Sequence, residues 1–180
     1  YISSEDIQLE YSYMLYTDIC KEPGIYDWTP MENVLDDIAS RGHQAVIRFR
    51  YTYPGYETSV PDYIKSMSDY EELIGTSEGR TTSFPDWRHP ELQRFHMEFH
   101  RLFAEKYDSD PRLAFVQVGF GLWGEYHIYD GIFILGRTFP SKEFQIEFLK
   151  GLDSWYHDAP WSFSIDAADP KYSPMKEHPE

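Results

Sequence analysis

A single cysteine, Cys20, rules out a disulfide within this 180-residue chain. With no pair to count, the redox compartment stays open. No apolar run approaches the ~20 residues of a membrane-spanning helix. Basic residues are scarce: 16 Lys and Arg face 31 Asp and Glu, for a formal net charge of −15. A phosphate backbone would be repelled, which argues against nucleic acid as a partner. The acidity is spread evenly and reads as a solvated surface. No internal repeat or low-complexity tract occurs. No Gly-rich phosphate fingerprint follows an apolar strand, so nothing calls for a nucleotide or other cofactor. There is no signal peptide and no initiator Met, which suggests a processed or partial chain.

Aromatic residues, by contrast, make up 18% of the chain, with 15 Tyr and 5 Trp. Their flat faces and polar handles suit sugar binding as well as core packing. The length is enough for one domain over residues 1–180 with a real core.

Four strand-like runs alternate with three helical patterns. The strands are Ile7 to Tyr16, Gln44 to Tyr51, Leu113 to Val118 and Trp161 to Ile165. Thr29-Pro30-Met31-Glu32 reads as an N-cap, a first-turn proline and a capping box. The helix it opens carries Met31, Val34, Leu35 and Ile38 on one face and ends at Arg41-Gly42. A second helix, from about Pro90 to Tyr107, buries Leu92, Phe95, Phe99, Leu102 and Phe103. Ser141 caps a third, lined by Phe144, Phe148, Leu149, Leu152 and Trp155. A long loop from about residue 52 to 89 shows only a possible short helix near Asp69 to Ile74. Loops of that length are usually functional or mobile.

Regular alternation of strand and helix predicts a parallel sheet with right-handed crossovers. An open doubly wound sheet and a (β/α)8 TIM-type barrel compete. The missing phosphate fingerprint and the long loops after strands favour the barrel. A full barrel takes ~250 residues, so this α/β chain would cover about half of it.

Certain motifs sharpen that expectation. Glu22, Pro23, Tyr26, Asp27 and Trp28, then Gly42 and Arg48, resemble the second-to-third-strand region of clan A glycoside hydrolases, especially barrels of the β-galactosidase type. The run Val60 to Ile64, VPDYI, is similar to a segment after their third strand, and Phe115 to His127, FVQVGFGLWGEYH, to their fourth. More closely, the chain resembles a bacterial family known as domain of unknown function 4832, whose members share a G-x-W-G-E-Y/W turn. The resemblance implies a glycosidase-like barrel acting on a poly- or oligosaccharide by carboxylate acid/base catalysis, with the remaining half of the barrel in a longer chain or a second copy. It also implies an extracellular, periplasmic or cell-surface setting. One departure favours the alternative, a carbohydrate-binding barrel that has lost its catalytic pair. Aligned on VQV, the clan's acid/base falls at Gly121, and Glu125 follows Gly124 in place of Asn.

Glu125 is the catalytic candidate, a general acid whose pKa would be raised by Trp123 and Tyr126. The resemblance puts its partner carboxylate outside the chain. A structural Glu bonding backbone in a tight Gly turn is the rival reading. His127 would orient Glu125 or bind substrate, or serve as a satisfied loop histidine. Arg48 and Arg50 share one strand face, where an arginine fork either orders carboxylates, binds an anionic sugar or pairs with a neighbouring acid. Trp87 and Trp123 are candidates for sugar stacking. Asp166 and Asp169, after the last strand, are candidates for sugar hydroxyls. Metal is the minority reading there, and no metal site is assigned. His96 and His100 stand at i and i+4 at the edge of the apolar stripe, where packing outweighs metal binding.

Overall fold

A computed structural model describes residues 8–177. In chain order the elements are β1 (Leu9–Leu15), α1 (Tyr16–Ile19), β2 (Cys20–Glu22), β3 (Ile25–Tyr26), α2 (Thr29–Ala39), β4 (Gln44–Arg50) and α3 (Asp62–Lys65). Then follow β5 (Leu73–Ser77), β6 (Arg80–Phe84), α4 (Pro90–Tyr107), β7 (Leu113–Gln117), α5 (Lys142–Trp155) and β8 (Trp161–Ser162). A 3-10 turn spans Ile165–Ala168.

β1, β4, β7 and β8 form one parallel sheet whose spatial order is the chain order. Right-handed crossovers between successive neighbours keep returning the chain over the same face. α2, α4 and α5 accordingly form one layer. Ala45, Ile47 and Phe49 of β4 and Val116 of β7 point into it and are buried. The Phe49 ring meets Phe99 and Phe103 of α4 edge-on, at 4.7 and 5.4 Å between centroids. The opposite face carries Leu9, Tyr11 and Tyr13 from β1, which stand 43–48% exposed. Arg48 and Gln117 lie on that face too, because strand side chains alternate.

α4 and α5 begin where the sequence indicates. Ser141 Oγ accepts from the Phe144 amide at 3.3 Å, and His89 Nδ1 accepts from Glu91 at 3.2 Å ahead of Pro90. α2 departs from expectation. Thr29 lies inside the helix, and the cap residue Trp28 makes no side-chain cap. Glu32 turns away from the helix end to accept from Arg112 Nη2 at 2.8 Å and the Tyr107 hydroxyl at 2.9 Å. A charge-assisted bond to a guanidinium outcompetes a reciprocal capping box.

The stretch 52–89 is more structured than its composition suggests. The helix expected near Asp69 to Ile74 does not form there; β5 and β6 pair as an antiparallel hairpin. Its two-residue turn is Glu78-Gly79, both at positive φ, +49° and +70°. That backbone matches the twist of a tight hairpin. β8 ends at Ser162, short of Ile165, and the first strand stops at Leu15 as Tyr16 enters α1. The start of that strand expected at Ile7 lies outside the described residues.

His96 and His100 are central to the core, each 1% exposed. Nδ1 of His96 meets the Tyr51 hydroxyl and Nε2 of His100 the Tyr16 hydroxyl, both at 3.1 Å. Tyr16 and Tyr51 stack on each other at 4.0 Å. The packing role expected of the two histidines holds, at the centre of the apolar stripe. None of the described helices is long and apolar enough to cross a membrane.

Candidate functional site

The carboxyl ends of the parallel strands bring charge together. Arg48 is near the end of β4, level with Tyr13 on one side and Gln117, the last residue of β7, on the other. Its Nε donates to Gln117 Oε1 at 3.0 Å, and its Nη1 donates to Glu125 Oε1 at 2.8 Å. The Tyr11 and Tyr13 rings lie 5.1 and 5.7 Å from the guanidinium carbon. Those contacts let a guanidinium sit almost fully buried, since a buried charge must be paired and hydrogen-bonded.

Glu125 reaches this position through a loop that only glycine permits. A Cβ at Gly121 would lie 1.8 Å from the His127 carbonyl oxygen, and one at Gly119 2.4 Å from that of Gly124. Gly124 combines φ +69° with the same crowding against the Phe49 carbonyl oxygen at 2.5 Å. The loop folds back on itself, with the Gly121 amide donating to the Glu125 carbonyl at 2.8 Å and Leu122 to His127 at 2.9 Å. Trp123 is held at φ +56°, a conformation costly for a bulky residue. Such strain concentrates at functional sites.

The second Glu125 oxygen faces His127 Nε2 at 2.7 Å, and Asp166 Oδ2 is 3.8 Å from the same nitrogen. Nδ1 of His127 is buried with no hydrogen-bond partner among the described residues. The contact assigns the proton to Nε2 and leaves Nδ1 as a bare acceptor.

Burial pushes the Glu125 carboxyl up, but Arg48 and then His127 more than offset it and hold the pKa below the ordinary range. The raised pKa expected for a general acid is therefore not found. An ionised carboxylate stands in its place.

Of the other sequence candidates, Trp123 joins the site. It stacks on Tyr129 at 5.6 Å and stands edge-on to Tyr53 at 6.3 Å. Trp87 does not: it is 1% exposed, packed edge-on against Tyr51 and Phe120 inside the core. Tyr126 is also 1% exposed, and its hydroxyl donates to Gln145 at 2.7 Å. Buried among core rings, it forms no wall beside Glu125. Asp169 turns back to accept from the Lys171 amide at 2.9 Å, a local turn device that leaves it apart from Asp166. Sequence reasoning missed Gln117, Tyr11, Tyr13, Tyr53 and Tyr129. Gln117 carried a readable signal, a polar residue within an apolar strand.

Glu125, His127 and Asp166 each offer an atom within 4.8 Å of the others, so the three could hold a metal ion. Arg48 beside Glu125 opposes added positive charge. The unpartnered Nδ1 also lacks the acceptor that orients a ligating histidine.

Fold and site together define an α/β protein with a parallel sheet and an Arg-Glu-His-Asp cluster at the carboxyl ends of its strands. Compared with known proteins, the chain matches no family model and no curated protein.

Proposed function

We propose that the chain supplies four consecutive strands of a (β/α)8-type barrel that binds and hydrolyses a poly- or oligosaccharide, as its resemblance to domain of unknown function 4832 and clan A glycosidases implies. The sheet order supports the barrel, since doubly wound sheets reverse their order partway across and place helices on both faces. Function in such barrels gathers at the carboxyl ends of the strands, where Arg48, Glu125 and Asp166 lie.

One observation carries the hydrolytic reading. Two carboxylates, Glu125 and Asp166, flank His127 with oxygen atoms within 4.8 Å. Retaining glycosidases hold their pair about 5 to 5.5 Å apart. Because Arg48 keeps Glu125 ionised, Glu125 suits the nucleophile and Asp166 the acid/base. Glu125 attacks the anomeric carbon while the Asp166 carboxyl protonates the departing oxygen. Water, deprotonated by Asp166, then releases the sugar from the Glu125 ester. Trp123 and Tyr129 offer ring faces beside the reacting carbon. On this reading Asp166 is the second carboxylate, within the chain, where the family resemblance alone would put it outside.

A binding protein without hydrolysis is the second reading. It is favoured by the engagement of both Glu125 oxygens, one by Arg48 and the other by His127.

The test is depolymerisation across a polysaccharide panel by wild type and Glu125→Gln. A loss of ~10²-fold or more, with a fluoroglycoside ester trapped on Glu125, supports hydrolysis. Binding by both proteins with no turnover supports the second reading. Neither turnover nor binding on any glycan overturns both.

A further inference from the structure

Arg50, two residues beyond Arg48 on the same strand face, is a cation without an anion among the described residues. Its guanidinium carbon lies 4.4 Å over the Tyr53 ring, and among the described residues it makes no hydrogen bond and no ion pair. That is unusual in a chain with 31 acidic side chains. Among the groups acting on its charge the one carboxylate is Asp18, which already accepts from the Leu15 amide at 3.0 Å. Arg50 is half-buried, and burial pulls its pKa down by more than the neighbouring tyrosines and Asp18 raise it. Its nitrogen atoms are nonetheless absent from the buried unsatisfied groups, so solvent or a ligand reaches them.

Position gives this arginine meaning. Tyr53, on which it stacks, is edge-on to Trp123, and Trp123 lies 6.0 Å from the His127 ring. Arg50, Tyr53, Trp123 and His127 thus make one continuous run from the unpaired cation to the carboxylate pair. A guanidinium fixed on an aromatic face keeps its fork pre-organised, so little freedom is lost when it takes an oxyanion. The two arginines divide the work: Arg48 is saturated by Gln117 and Glu125, and Arg50 is left open.

We propose that Arg50 and Tyr53 form an oxyanion subsite beside Glu125, and that the preferred ligand is an acidic glycan carrying a uronate carboxylate or a sulfate ester. This inference rests on the glycan reading above and adds the charge of the sugar. Bidentate donation from Arg50 would hold the anion while Tyr53 packs against the sugar ring. A neutral sugar would leave the guanidinium desolvated and unpaired, a penalty of the kind that gives polar subsites their discrimination.

Calorimetric titration of the whole chain separates the two ideas. The probes are an oligogalacturonate, a sulfated galacto-oligosaccharide and a neutral galacto-oligosaccharide of equal length, with sodium sulfate as a free-anion control. Wild type is expected to bind at least one acidic probe tenfold or more tightly than the neutral one. The preference should shrink as salt is raised, as a charge interaction does. Which acidic probe wins identifies the anion. In Arg50→Gln the acid-to-neutral ratio should fall to about one, and in Arg50→Lys it should fall partway, since the charge survives without the fork. Equal binding of neutral and acidic probes by wild type overturns this inference and leaves the glycan reading standing. Sodium sulfate binding as tightly as the sulfated sugar also overturns it, marking a plain anion site. No binding of any sugar overturns both. The wild-type comparison decides the matter even if a variant fails to fold.

Discussion

Arg48 donates to Glu125 across 77 residues of chain, at 2.8 Å, from a side chain that is 6% exposed. Removing one partner of such a pair leaves the other charge half-buried, and such losses cost about 3 kcal/mol or more. Arg48→Met should therefore unfold at lower urea, and its Glu125 carboxyl should titrate higher than in wild type. Carbon-13 NMR of that carboxyl checks the second point. The sign of the pH effect follows from the depressed pKa of Glu125 in the folded chain. The pair's contribution is present above the unfolded value near 4.5 and is lost as pH falls through the folded one. Arg48→Met should lack that share of the acid sensitivity. An unchanged Glu125 titration would show that Arg48 does not hold it ionised.

The buried histidines set a different window. Burial lowers the pKa of His100 to about 3 and that of His96 well below 6.5. The unfolded chain takes up protons below about pH 6.5 that the folded chain refuses, so stability falls as pH drops from there. Two such groups give a slope of about 2.7 kcal/mol per pH unit once both are protonated in the unfolded state. Urea midpoints between pH 7 and pH 5 should fall steeply, before any carboxylate titrates. A flat profile over that range would mean that the histidines are protonated in the fold.

The large-scale order of the molecule was legible because it rests on periodicity. Of the two helical stripes, Leu92, Phe95, Phe99 and Phe103, and Phe144, Phe148 and Leu152, are buried as their spacing implies, while Leu102, Leu149 and Trp155 are only partly buried. A parallel sheet of four strands follows from the alternation of elements, whereas their spatial order, which is the chain order, does not. The site was legible in part. Glu125 and His127 were visible as polar residues in a Gly-rich turn, and Arg48 as a cation on a strand. Their mutual contact depends on register between β4 and β7, which no local pattern encodes. Trp87 and Tyr126 were misplaced because a loop aromatic looks the same whether it faces solvent or core. The β5–β6 hairpin escaped notice because Glu78-Gly79 replaces the usual Asn-Gly at its turn.

Gly121 offers a direct probe of that turn. Its φ lies outside the left-handed region, so the objection to a side chain there is contact with the His127 carbonyl oxygen and not backbone strain. Gly121→Ala must displace the segment that carries Glu125 and His127, against backbone that cannot yield cheaply. Overpacking of this kind costs about 3 kcal/mol when backbone has to move. The variant should melt lower and lose ligand binding together, whereas Gly136→Ala should cost its strain alone, since its nearest neighbour is 3.9 Å away. Equal behaviour of the two variants would disprove the close-packed turn.

The open face of the sheet makes the last prediction. Leu9, Tyr11 and Tyr13 stand 48%, 45% and 43% exposed on β1, and β1 and β8 are both edges of a parallel sheet. Exposed edges next to apolar side chains invite pairing with further strands. If the barrel reading is right, these residues belong to an interior that other strands complete, and the 180-residue chain alone should self-associate or bind a hydrophobic dye. Light scattering measures the first and dye fluorescence the second. Tyr11→Lys with Tyr13→Lys should reduce both signals, although each also withdraws a ring from Arg48. A monomer that binds no dye would mean that this face is adapted to water, and the half-barrel would give way to an open sheet with helices on one side.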